Sequence, residues 1–107
     1  MDSRVAWENV QILSHEEELP LAYLLEQNYP NPFNPVTNIR FHLTDPSPVK
    51  LTVFDIQGRE IETLVNEKLD AGIYTAGWNA SGMPSGVYLY KIETATFSEV
   101  KKMILLK

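Results

Sequence analysis

Cysteine is absent from the 107 residues, which removes disulfides, thiolate metal sites and cysteine nucleophiles together. Long apolar runs are missing too; none approaches the roughly 20 residues that cross a bilayer as a helix. Basic charge is short. Nine Lys and Arg stand against fourteen Asp and Glu, a formal net charge of −5, whereas a nucleic-acid surface needs the opposite sign. The opening MDSRVAWENV lacks the charged-then-apolar pattern of a signal peptide, so an export signal is expected to belong to a longer parent chain.

Catalytic patterns are equally scarce. No H-E-x-x-H, P-loop or G-x-G-x-x-G occurs. His15 sits beside an acidic run, and His42 falls on the outward face of a strand pattern, neither with a partner at a recognisable spacing. Asp45, Asp55, Glu60, Glu62, Glu67, Asp70, Glu93 and Glu99 are scattered over turns and strand edges, where solubility accounts for them. The expectation is a module with no catalytic residue, no cofactor and no metal. A loop calcium site using Asp55 or Asp70 with backbone carbonyls is the one metal alternative. Asn79-Ala-Ser81 matches a glycosylation sequon, a pattern short enough to arise by accident.

What is present is an ordinary globular composition, 44% hydrophobic and 21% charged, enough for one core and too little for two. Residues 1–19 read as a linker or the tail of a preceding domain. Val5, Trp7, Val10, Ile12 and Leu13 give a strand-like stretch, and Glu16-Glu17-Glu18 is a solvated acidic run. Pro20 opens the compact domain, 20–107. Asn28 to Pro35 packs three prolines into its last six residues; it is neither helix nor central strand but a rigid loop, with Tyr29 and Phe33 able to cap the core.

Alternation then takes over. Ile39, Phe41 and Leu43 share a face, as do Val49, Leu51 and Val53, and Tyr74, Ala76 and Trp78. Asp45–Pro48 is a turn. Asp55-Ile-Gln-Gly58 suits a type I turn followed by a glycine at positive φ, with Arg59–Val65 returning, although Glu60–Lys68 also fits a turn or two of helix weakly. Asp70–Gly72 is a turn and Asn79–Gly86 a loop. Val87–Thr94 and Glu99–Leu106 form a last hairpin whose interior is apolar on both faces. The sum is all-β: an Ig-like antiparallel sandwich of about seven strands, ahead of a closed barrel. Trp78, Tyr74, Tyr88 and Tyr90 read as core, the rival being a sugar-stacking face of an accessory carbohydrate or cell-wall binding module on a secreted hydrolase.

Five blocks resemble a family in order and spacing: Leu25–Thr37 (LEQNYPNPFNPVT), Leu51–Arg59 (LTVFDIQGR), Gly72–Asn79 (GIYTAGWN), Ser85–Ile92 (SGVYLYKI) and Lys101–Lys107 (KKMILLK). Together they resemble the type A C-terminal sorting domain of the type IX secretion system, and are similar to the Ig-like domain of the flagellar hook-capping protein. One departure is the short loop Asn79–Ser85, where such relatives commonly carry more glycine and asparagine.

The resemblance implies a non-catalytic module at the end of a larger exported protein, its cargo lying upstream in the same chain. It implies transit through the periplasm, passage through an outer-membrane translocon, and arrival at the cell surface or outside. The implied partners are translocon, shuttle and sortase-like proteins, the last attaching cargo to surface lipopolysaccharide, with no nucleic acid and no membrane span. The implied recognition residues are Gly86, Val87, Tyr88, Lys101, Lys102, Met103, Ile104, Leu105, Leu106 and Lys107. Physically, a last strand that is apolar on both faces leaves an unpaired edge open to strand addition, with Lys101, Lys102 and Lys107 toward an acidic groove. Alternatively, Met103–Leu106 simply completes the sandwich.

Overall fold

The computed structural model describes residues 12–16 and 20–107. A two-residue alternation of apolar and polar side chains suits a pleated strand with one face buried. Every regular element among the described residues is such a strand: β1 (Ile12–Glu16), β2 (Leu24–Leu25), β3 (Val36–Leu43), β4 (Ser47–Asp55), β5 (Glu60–Leu69), β6 (Gly72–Asn79), β7 (Gly86–Glu93) and β8 (Ser98–Leu105). They form two antiparallel sheets, ordered β1-β6-β3-β2 and β5-β4-β7-β8. The sandwich is as expected, with eight strands; the two residues of β2 are too few to leave a pattern. Val5, Trp7, Val10, Glu17 and Glu18 lie outside the described residues.

The core lies between the sheets and is built from the alternating positions. Ile39, Phe41 and Leu43 enter from β3, Val49, Leu51 and Val53 from β4, and Tyr74, Ala76 and Trp78 from β6, all buried. Tyr88, Tyr90, Ile92, Met103 and Leu105 complete it from the last hairpin. Phe41 stacks on Tyr74 at 5.4 Å, and Tyr88 meets Trp78 edge-on at 5.4 Å. Two tyrosines pin the turns that precede their strands. Tyr74 Oη donates to the Asp70 carbonyl at 2.8 Å, and Tyr88 Oη donates to that of Pro84 at 2.7 Å. Both reach four residues back, the tyrosine-corner device of sandwich folds.

The helical alternative for Glu60–Lys68 is corrected: the segment is strand β5. Its register slips against β4 between Leu51 and Thr52, so Leu64 is an extra residue. The bulge puts the consecutive pair Leu64 and Val65 inside, both buried, and that break in the period of two mimics helical spacing. The Asp55–Gly58 turn forms as read. Gly58 N–H donates to the Asp55 carbonyl at 3.0 Å and Gly58 has φ +86, a conformation that costs a non-glycine residue.

Candidate functional site

The last two strands bring both segments named for recognition side by side. Gly86 faces Leu105, Val87 faces Ile104, and Tyr88 faces Met103. Alternation then sorts them into two groups. Tyr88, Met103 and Leu105 point inward and are at most 4% exposed, so a partner reaches them only by opening the fold. Val87, Lys102 and Ile104 stand on the outer face, and Gly86, Leu106 and Lys107 are exposed at its end. Lys101 turns to the inner margin and pairs with Glu99 at 3.4 Å. Lys107 is tied back: its N–H donates to Ser85 Oγ at 2.9 Å, and its Nζ donates to the Ser81 carbonyl at 2.7 Å.

β8 is an edge strand, but its edge is not simply unpaired, which corrects the expectation of an open terminal edge. Phe33 N–H donates to the Ile104 carbonyl at 2.9 Å, and Leu106 N–H donates to the Phe33 carbonyl at 3.0 Å, in a parallel bridge. Asn31 Oδ1 accepts from Ile104 N–H at 3.0 Å, and Gln27 Nε2 donates to the Lys102 carbonyl at 2.7 Å. From Lys102 onward the proline-rich loop therefore closes the edge, while Ser98 and Val100 stay exposed. The loop can do this because proline fixes its path and Phe33, 2% exposed, anchors it against Trp78 at 5.8 Å. Tyr29 plays no such part: it is 80% exposed, so only Phe33 caps the core.

A buried polar knot holds the loop's root. Tyr90 Oη donates to the Glu26 carbonyl at 2.7 Å and accepts from Asn28 N–H at 2.8 Å. Asn28 Nδ2 donates to Thr37 Oγ1 at 2.9 Å, and Thr37 Oγ1 donates to the Pro30 carbonyl at 2.9 Å. Each buried group thus has its partner. Desolvation, helped by the charges of Glu99 and Glu26, lifts the Tyr90 hydroxyl well above its ordinary range, so it remains a donor.

A shallow depression of about 230 Å³ borders Gly86–Tyr88, between Pro84–Ser85 and the β4–β5 turn. Asp55 stands at its rim with its carboxylate occupied. Oδ1 accepts from the N–H groups of Gln57 and Arg59, both at 2.9 Å, and Oδ2 accepts from Arg59 Nε at 2.7 Å. The Arg59 amide is the main cause of an Asp55 pKa below its ordinary value. Among the described residues no three His, Asp or Glu converge on a metal-sized site.

His42, expected to stand without a partner, lies on the other sheet with its Nε2 2.6 Å from Glu26 Oε2. His15 stacks on Tyr74 at 4.2 Å. Trp78, Tyr74, Tyr88 and Tyr90 are buried and offer no ring face to a sugar. Sequence reasoning passed over Phe54 and Leu89, which share the outer face with Val87 and Ile104. The signal was available: Phe54 is out of phase with Val49, Leu51 and Val53, and so had to point away from the core.

No curated protein matches the chain. The family model described as the secretion system C-terminal sorting domain matches residues 27–106, spanning the proline-rich loop and the whole of strands β3 to β8. The chain belongs to this family, the C-terminal sorting signals of type IX secretion.

Proposed function

We infer that this module, with no chemistry of its own, directs a larger protein lying upstream of it across the outer membrane and to the cell surface. It acts as the surface that the secretion machinery grips. Domain 20–107 is the unit that is read, and residues 1–19, whose β1 pairs with its strand β6, join it to the cargo. The observation that carries the reading is the register of the last hairpin: Val87 beside Ile104 and Leu89 beside Lys102, which gathers the exposed members of both recognition segments into one accessible strip. Catalysis would need converging groups, and the strip holds apolar side chains and lysines instead.

The experiment is a fusion. A folded fluorescent reporter with its own secretory signal is placed ahead of the chain in a bacterium with a type IX system. The expected outcome is reporter at the cell surface or in the medium. Deleting Lys101–Lys107 removes Met103 and Leu105 from the core and the strip together, and leaves the reporter in the periplasm. Display of the truncated fusion at the intact level would refute the reading.

A further inference from the structure

The two outer faces of the sandwich differ in kind. On the β1-β6-β3-β2 sheet, charges neutralise one another: Arg40 reaches Glu16 and Glu26, each at 3.3 Å, and His42 shares Glu26. On the β5-β4-β7-β8 sheet the outward positions run differently. Register places Phe54 beside Leu89 and Leu89 beside Lys102, with Val87 beside Ile104 one row away. Val100, 51% exposed, extends this apolar centre along β8. Around it stand Lys50, Lys68, Lys91 and Lys102, four of the nine basic residues in a chain of net charge −5. Lys91 pairs with Glu93 at 3.4 Å; Lys50, Lys68 and Lys102 make no ion pair among the described residues.

We propose that this outer face is the docking surface of the module, and that its occupant is a protein surface with an apolar centre and a carboxylate rim. The claim deepens the sorting reading and rests on it. Glu60 beside Phe54 and Glu93 beside Lys50 interrupt the rim, but the lysines outnumber them two to one. An apolar patch inside a predominantly basic rim is what an interface core and rim require. The unpaired lysines select a partner of opposite sign and steer its approach. A second copy of the chain is the wrong occupant, because a two-fold contact would bring lysine against lysine. A glycan is a poorer fit, since the aromatic side chains of the core are turned away and Phe54 alone gives no stacking platform.

The reporter fusion tests this with three variants, each first shown to unfold cooperatively as purified protein. Lys91→Glu with Lys102→Glu inverts the rim, Leu89→Asn wets the centre, and Asn38→Glu alters the opposite outer face as a control. Expected are drops of about tenfold or more in surface-displayed reporter for both face variants, with the control unchanged. Normal display of both folded face variants, with the wild-type fusion displayed, overturns the docking face and leaves the sorting reading intact. Loss in the lysine variant but not in Leu89→Asn overturns the protein occupant in favour of an anionic polymer. A wild-type fusion held in the periplasm sinks the sorting reading and the docking face with it.

Discussion

Asp55 illustrates how a single side chain in this molecule is used up by local structure. Three donors from Gln57 and Arg59 converge on its two oxygens, so the ionised form is the one that holds the turn between β4 and β5. The Arg59 amide lowers its pKa most, partial desolvation opposes this, and the Arg59 guanidinium and Gln57 amide add to the lowering. The sign follows by linkage. A carboxylate with a depressed folded pKa stabilises fully above its unfolded value and loses that stabilisation as pH falls through the folded one. Urea unfolding of wild type and Asp55→Asn should therefore show a stability gap that is constant down to about pH 4 and shrinks below it. A gap that persists undiminished into strong acid would mean that the turn does not depend on the charge. The neighbouring Tyr88 behaves oppositely: desolvation, and then the Asp55 charge, raise its hydroxyl above the ordinary value.

At the scale of elements, the proline-rich loop acts as an edge guard for β8. Asn31 contributes one acceptor, to Ile104 N–H. Asn31→Ala is expected to raise amide exchange at Ile104 far more than at Leu106, whose N–H bonds to the Phe33 carbonyl instead. The stability cost should be about 1 kcal/mol, the net worth of one hydrogen bond that water can replace. Equal exchange at both amides would show that the guard opens as one piece. β3, β4 and β6 were legible because Ile39, Phe41 and Leu43, Val49, Leu51 and Val53, and Tyr74, Ala76 and Trp78 recur at every second position, and the sandwich followed from them. β5 was ambiguous because a bulge buries Leu64 next to Val65. Proline content excluded helix and central strand for the loop, but not its destination. The bond from Gln27 to the Lys102 carbonyl joins residues 75 apart, and no local pattern carries that. The same limit applies to the candidate site: both recognition segments were visible in the text, whereas the strip they form with Phe54 and Leu89 depends on strand order.

At the scale of the whole molecule, two strands lie upstream of the residues that the family model matches, the two-residue β2 and, before it, β1. β1 runs antiparallel to β6, with Ile12 opposite Ala76 and Glu16 opposite Ile73. Ile12 joins the core at 9% exposure. β6 makes room for this strand: a Cβ on Gly72 would stand 2.5 Å from His15 Nε2 and 2.6 Å from the Glu16 carbonyl oxygen. The chain ahead of the matched segment thus covers one sheet edge, as the proline-rich loop guards half of another. A chain beginning at Pro20 should keep the core contributed by β3 to β8 and fold, but lose about 2 kcal/mol from the burial of Ile12 alone. It should also expose the edge of β6 from Ile73 to Ala76. Thermal unfolding by circular dichroism should register the loss, and sedimentation velocity should register association that grows with concentration, because an uncovered edge recruits another strand. An unchanged melting temperature with a strictly monomeric boundary would show that β1 contributes nothing, and that the sorting unit is complete without it.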